Sequence, residues 1–475
     1  MFADIFQRYA DRTLFKCDDG THFTYSSVFN LSLLPAIQDA RGRLVFCLCA
    51  NVPGALLGYL GLISAGAIPV MLSATISPGQ LTGLLERYRP AYMWLPETRA
   101  REINGTVHVF SESSHCLLAF EHSDSYPLHS SLALLLSTSG STGSPKMVRI
   151  SGENIVSNAQ AISDYLGLTS CERPITTLPP SYTYGLSILH SHLLHGCEIA
   201  LTNRTMFDRK FWDFLRDSKV TSMGGVPYHY EMMRKLKFAG MDLPELRTLT
   251  QAGGRLDPSL VSEYASLCAG RNMRFFVMYG QAEATARMSF LAPEKALFKP
   301  DSIGQAIPGG RLWLEDEMGN ILQDETQFGQ LVYQGKNVCM GYAENLLDLS
   351  RGNEFGFNLK TGDLARRDAD GDYYIVGRLK RFLKFFGHRV NLQDIEDDLQ
   401  KIGFSAACSG KDDQLDVYLC NATNEHAKLI KMEIIGKLKL PPSSIRILTV
   451  SDLPRNEAGK IQYSVLQQMP AESLV

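Results

Sequence analysis

"LALLLSTSGSTGSPKMVRIS", residues 132–151, places hydroxyls, glycines and one lysine between two apolar runs. The five residues 132–136 read as a buried strand, "MVRI" favours a second strand, and a helix starts only after Ser151. A Walker loop needs G-x-x-x-x-G-K-[ST] running straight into a helix whose N-terminus faces the phosphates. Here Gly140, Gly143 and Lys146 give G-x-x-G-x-x-K, Pro145 precedes the lysine, and strand follows. No helix dipole aims at a ligand, so binding must come from glycine-freed backbone N–H groups, the hydroxyls of Ser137 to Ser144, and Lys146. The plain alternative is a flexible Ser/Gly linker. Linkers rarely follow a buried strand or end in Pro-Lys, and the phosphate cradle is preferred.

Outward from this loop, short apolar runs alternate with helical periods. "RLVFCLCA" (43–50) reads as a buried strand. Ile155, Ala159, Ile162 and Leu166 form a helical stripe ended near Gly167. The uncharged run "ALLGYLGLISAGAIPVML" (55–72) has the length of a membrane span, but its glycines and Pro69 divide it into a buried helix, a turn and a short strand. This alternation predicts α/β layers with both sheet faces covered. Near residue 378 the texture changes: "GRLKRFLKFFGHRVNLQDIE" turns from basic to acidic. A helix with Leu392, Ile395, Leu399 and Ile402 on one face follows. Next come a half-exposed strand "QLDVYLCN", an amphipathic helix over 424–438 and a strand over 444–450. The expected architecture is a large N-terminal domain of layered α/β subdomains, residues 1–379, hinged to a small α+β domain, residues 380–475.

Composition narrows the function. An apolar fraction of 45% and a charged fraction of 20% are those of an ordinary soluble protein. A net charge of −3 gives no global field toward nucleic acid or an anionic membrane. The cations Arg378, Lys380, Arg381, Lys384 and Arg389 are too few to overturn that. Ten scattered cysteines complete no zinc set and read as reduced thiols in the cytoplasm, and residues 1–15 lack the apolar core of a signal peptide. His190, His192 and His195 do not form a metal site, because one helix cannot aim all three at one ion; a packed helix is expected.

Further segments follow the loop in order: "LPPSYTYGL" (178–186), "GGVPYHYEMM" (224–233), "LRTLTQAGGRL" (246–256), "MYGQAEAT" (278–285), "GQLVYQGKNVCMGY" (329–342), "TGDLARRDADGDYYIVGR" (361–378) and "LPRNEAGKIQY" (453–463). Together they closely resemble the motifs of the adenylate-forming superfamily: acyl-CoA synthetases, peptide-synthetase adenylation domains and luciferases. The resemblance covers nearly the whole chain. It implies ATP-dependent activation of a carboxylic acid to an acyl adenylate with release of pyrophosphate, then transfer to a phosphopantetheine thiol of coenzyme A or a separate acyl carrier protein.

It also implies roles. Thr138, Ser139, Gly140, Ser141, Thr142, Gly143 and Lys146 would hold the phosphates, with Thr142 and Glu283 holding magnesium, a hard ion served by oxygen ligands. Gly253 and Gly254 would let backbone approach the adenine, with Tyr279 stacking on it and Gly280 and Gln281 alongside. Asp363 would take the ribose hydroxyls, with Arg378 nearby. Tyr182, Tyr184, Gly225, Val226 and Ala282 would line the acyl pocket. Lys460, with Thr142 and Glu283 the catalytic set, would stabilise charge between the carboxylate and the α-phosphate. Lys380 would be the hinge, and Gly387 with His388 the thiol tunnel.

Two departures sharpen the expectation. The family usually has threonine where this chain has Ala282, and one lost hydrogen bond to a charged group costs roughly 1.5–3 kcal/mol, about ten- to a hundredfold in rate. A weakened, nucleotide-binding regulatory protein is therefore one alternative. Amino-acid-activating relatives carry an aspartate where this chain has Gly185, and "SYTYGLS" holds no acid to pair a substrate ammonium. A fatty, aryl or other non-amino acid is expected, with a stand-alone amino-acid-activating enzyme as the other alternative. The chain stops soon after Lys460, so a carrier would be a separate protein.

Overall fold

The computed structural model describes residues 2–121, 126–137, 146–324, 327–385, 388–455 and 461–474. The chain divides into two compact units, one running to Leu312 and including Tyr333–Leu359, the other holding Trp313–Val332 and Lys360–Val475.

The larger unit is built on two mixed sheets. In the eight-stranded sheet, Leu44–Cys49 lies between Ile68–Ser73 and Tyr92–Pro96, all parallel, and every residue of Leu44–Cys49 is buried. A strand covered on both faces needs no polar alternation, which is why residues 43–50 read as one apolar run. Leu132–Ser137 pairs antiparallel with Met147–Ser151, Leu136 opposite Val148 and Ser137 opposite Met147, as the opening stretch predicts. The helix Gly152–Leu166 starts where Ser151 Oγ accepts from the Asn154 N–H at 3.1 Å and Asn154 Oδ1 accepts from the Ser151 N–H at 2.8 Å. It ends at Gly167, in the left-handed region.

The nine-stranded sheet has a parallel centre. Ser222–Gly225, Thr248–Gln251 and Arg274–Tyr279 lie side by side, Gly225 level with Gln251 and Gln251 level with Val277. Helix Pro53–Ala65 lies between layers and buries nearly all its side chains. Trp94 of the eight-stranded sheet donates its indole N–H to the Gly54 carbonyl at 2.9 Å, and Tyr59 hydrogen-bonds His190 of helix Thr183–Leu193 at 2.7 Å. That two-sided burial explains the absence of charge over 55–72. Among the described residues, no helix is long and apolar enough to cross a membrane.

His190 and His192 are packed inside this unit, in line with the sequence reading. Burial depresses the His190 imidazole to about 3 and the His192 imidazole to about 4, from an ordinary value near 6.5. Both rings are neutral in the folded protein, while the unfolded chain takes up protons below about pH 6.5. Stability is full above that value and falls as pH drops toward 4, by about 2 kcal/mol per ring at pH 5. Urea unfolding at pH 7 and pH 5 checks this: the midpoint falls at pH 5, and the drop shrinks in His190→Gln.

A four-stranded sheet, most of whose residues belong to the smaller unit, orders Arg311–Glu315, Gly329–Gln334, Asn358–Arg367 and Tyr373–Arg378. A hairpin, Phe382–Phe385 with His388–Asn391, leads into helix Leu392–Lys401. A second sheet follows, with Gln414–Cys420 between Ala406–Lys411 and Ile445–Val450, and helix Asn424–Leu438 occupies its predicted span. Two expectations are corrected. Gln414–Cys420 is buried almost throughout, because Val417 and Leu419 face one apolar cluster and Tyr418 another, while Asp416 is neutralised by Nε and Nη2 of Arg446. Ile402 is exposed, because the helix stops one residue before it.

Candidate active site

The carboxyl ends of parallel strands are where open α/β sheets bind ligands, because the backbone there turns outward between helices. Three adjacent ends deliver sequence-predicted residues in the larger unit. Ser222–Gly225 ends in Gly225 and leads to Val226. Thr248–Gln251 leads to Gly253 and Gly254, and Arg274–Tyr279 leads through Gly280 and Gln281 to Glu283. Gly253 has φ +86°, and a Cβ there would strike the Tyr182 hydroxyl and Val226. Only glycine permits that approach. The Gln251 amide donates to the Gly254 carbonyl at 2.8 Å and fixes the turn.

The two tyrosines read as acyl-pocket walls face this region. Tyr184 donates to the Thr250 carbonyl at 2.8 Å, and its ring meets Tyr182 edge-on at 6.5 Å between centroids. Burial pushes the Tyr182 phenol up to about 12, so it is a neutral donor at physiological pH. Gly185, the position expected to lack an ammonium partner, has no room for one. A Cβ there would lie 2.6 Å from the Pro179 carbonyl oxygen and 2.8 Å from that of Leu178. An aspartate cannot occupy this backbone without moving it.

Glu283 sits in the turn Ala282–Ala284, and its carboxylate accepts from the Tyr342 hydroxyl at 2.8 Å. Tyr342 closes the motif at 329–342, but its role was not foreseen, because its partner Glu283 lies 59 residues away. Its strand, Gly341–Ala343, pairs with Met147–Ser151. The fully buried Arg149 fastens that strand by donating to the Met340 and Tyr342 carbonyls at 3.0 Å and by pairing with Glu354. Lys146 pairs with Glu344 at 2.9 Å, and its ammonium stands 5.4 Å from the centre of the Tyr342 ring. The structure thus brings Lys146, Tyr342 and Glu283 into one charged network. The Ala282 methyl packs against the large apolar cluster between the sheets.

Thr138, Ser139, Gly140, Ser141, Thr142, Gly143, Gly387 and Lys460 lie outside the described residues. In the smaller unit, Asp363 is buried and pairs through Oδ1 with Arg378 Nε at 3.0 Å. The two stand opposite each other on adjacent antiparallel strands. Lys380 falls in the turn Leu379–Arg381, and His388 opens the second strand of the hairpin. Arg381 pairs with Glu396 at 2.7 Å and stacks over the Tyr463 ring at 4.1 Å, and Tyr463 donates to Glu396 at 3.1 Å. One buried carboxylate therefore ties the segment after position 380 to the segment after position 460.

The sequence signature of the AMP-binding enzyme family matches residues 2–343, well over half of the chain. The chain belongs to the AMP-binding enzyme family. Oxalate–CoA ligase of Arabidopsis thaliana is 26% identical to this AMP-binding enzyme over 353 residues, covering 71% of this chain and 67% of that protein. A 2-succinylbenzoate–CoA ligase of Geobacillus sp. is 25% identical over 420 residues, covering 85% and 83%. Among solved structures, O-succinylbenzoate coenzyme A synthetase from Bacillus subtilis in complex with AMP shares the fold. The TM-score is 0.79, at 21% identity over 98% of this chain and 97% of that one.

Proposed function

We propose that this AMP-binding enzyme is an ATP-dependent carboxylate–thiol ligase acting on a non-amino acid in the cytoplasm. One observation carries the reading: three neighbouring strand ends lead to a side-chain-free backbone turn at Gly253–Gly254, beside the Tyr182 hydroxyl, and to the carboxylate of Glu283. The absence of side chains at Gly253 and Gly254 leaves main chain against which a flat nucleoside base can lie, while the Cβ that Gly253 lacks would meet Tyr182 and Val226. An acid oxygen on Glu283, with the Thr142 hydroxyl predicted beside it, suits a hard divalent ion, and magnesium there would neutralise phosphate charge. A carboxylate acylates poorly. Attack on the α-phosphate of ATP releases pyrophosphate and leaves an acyl adenylate whose AMP departs readily when a thiol attacks.

The residues present do the positioning. Tyr342 orients Glu283, Lys146 brings a cation to the network, and Tyr182 and Tyr184 wall the acid. The Asp363–Arg378 pair is proposed for the ribose and Lys380 for the hinge between residues 1–379 and 380–475. The blocked backbone at Gly185 and the coenzyme A ligase relatives support a non-amino acid and coenzyme A as acceptor, with a separate carrier protein as the other thiol donor to test. ATP–pyrophosphate exchange across fatty, aryl, dicarboxylic and amino acids tests the reading. At least one non-amino acid is expected to exchange, and its adenylate to give a thioester with coenzyme A. Tight ATP binding with no exchange for any acid refutes it and leaves the regulatory alternative that Ala282 motivates.

A further inference from the structure

Behind Tyr184 the larger unit holds a cation that the chemistry above does not use. Arg287 is 2% exposed. Its Nη1 donates to the Tyr165 hydroxyl at 2.9 Å and contacts Met278 Sδ at 3.2 Å, while its Nε is buried with no hydrogen-bond partner. Its guanidinium carbon stands 4.9 Å from the centre of the Tyr184 ring. No carboxylate among the described residues pairs with it. Glu172 borders the same cavity but is engaged by Thr221 and Arg247.

A buried lysine or histidine can shed its proton to escape such a position, and arginine cannot. Cation–π contact with Tyr184 offsets only part of the cost of desolvating the charge. The chain nevertheless aims this side chain inward by force. Thr285 and Ala286, immediately before it, hold φ of +60° and +147°, a region non-glycine residues avoid. The Asn158 and Asn337 amides each donate to the Arg287 carbonyl at 3.0 Å, fixing its backbone. Arg287 and His192 line one cavity with Gly224 and Thr250. His192 is 3% exposed, and its Nε2 also has no partner. Thr250, whose carbonyl accepts from Tyr184, lines this cavity, and Arg287 stands over the Tyr184 ring, so the cavity adjoins that tyrosine.

We infer that Arg287 receives a second carboxylate carried by the acyl substrate, making this a ligase for a dicarboxylic acid whose far end reaches past Tyr184. The inference rests on the ligase reading and narrows it. The guanidinium fork matches a carboxylate with two parallel N–H···O bonds, and a pairing made inside the protein rejects an analogue that leaves the fork empty by orders of magnitude.

The test pairs acids of matched length in ATP–pyrophosphate exchange: butyrate with succinate, hexanoate with adipate, benzoate with terephthalate. In the wild type, one dicarboxylate is expected to exceed its partner at least tenfold in kcat/KM. Arg287→Met should reverse that preference, and Arg287→Lys, a point charge without the fork, should keep part of it. Exchange with monocarboxylates at equal or higher efficiency throughout overturns the inference and leaves the ligase reading intact. Equal loss for both members of each pair in Arg287→Met also overturns it, since that marks a purely structural arginine. If Arg287→Met does not fold, the wild-type ratio and Arg287→Lys decide. If no acid exchanges, the ligase reading fails, and thermal shift with the same acids plus ATP judges this site separately. A rise in Tm with a dicarboxylate, present in the wild type, reduced in Arg287→Lys and absent in Arg287→Met, supports it; no rise overturns it.

Discussion

Gly280→Ala is expected to abolish ATP–pyrophosphate exchange, by at least a hundredfold, and to lower the thermal stability of the larger unit. A Cβ on residue 280 would sit within the Ala286 carbonyl oxygen, 2.6 Å from its carbon and 2.8 Å from the Arg287 Cα. All three are backbone atoms, so no rotamer change relieves the clash. The loop between residues 280 and 287 is also closed at both ends. Met288 donates to the Tyr279 carbonyl at 2.9 Å, and Cys339 donates to the Glu283 carbonyl at 2.8 Å. Opening it displaces Glu283 from Tyr342 and Arg287 from its cavity together. Overpacking usually costs about 1–3 kcal/mol, and a rigid backbone partner puts this case at the upper end. Gly83 is the control: it lies on the exposed face of helix Pro78–Tyr88 with nothing near its missing Cβ. Gly83→Ala should raise stability by about 0.5–1 kcal/mol and leave exchange alone. Exchange at the wild-type rate in Gly280→Ala would mean that this loop does not shape the site.

The same loop shows what the sequence carried and what it hid. Local signals were dependable where one face meets one environment: the stripe Ile155, Ala159, Ile162, Leu166 is buried as written, and Gly167 ends it. Gln414–Cys420 misled because alternation usually marks solvent on one face, whereas here the second face meets another apolar cluster and Asp416 brings its own arginine. Motifs gave the glycine turns, but the reasons belong to the fold: Gly253 yields to Tyr182 and Gly280 to Ala286, contacts far apart or folded back in the chain. The contact of Tyr342 with Glu283 was illegible for the same reason. Arg149 and Arg287 did leave a trace, as lone cations inside the apolar runs "MVRIS" and "TARMSFL". A lone cation in such a run is either satisfied across the fold, as Arg149 is by Glu354, or kept for something else. Only coordinates separate the two.

Lys460→Ala is expected to cut exchange by a hundred- to a thousandfold while ATP affinity stays within about threefold. Adenylation forces an anionic carboxylate toward an anionic α-phosphate, and charge grows on the non-bridging oxygens as pyrophosphate leaves. A cation that meets those oxygens chiefly in the transition state lowers the barrier without tightening the ground state. Removing one preorganised electrostatic partner of this kind costs about 2.7–4 kcal/mol. ATP affinity by contrast is proposed to come from the phosphate loop, the Gly253–Gly254 turn and the Asp363–Arg378 pair, none of which the substitution changes. The anchors flanking the lysine are independent of it: Arg455 pairs with Ile461, Gln462 donates to the Pro454 carbonyl at 2.7 Å, and Tyr463 holds Glu396. The variant should therefore melt like the wild type. Supplying a chemically prepared acyl adenylate bypasses the first step, and thioester formation with coenzyme A should then proceed at near the wild-type rate. Loss of both half-reactions would move the lysine's role to the fold, and undiminished exchange would remove it from the catalytic set.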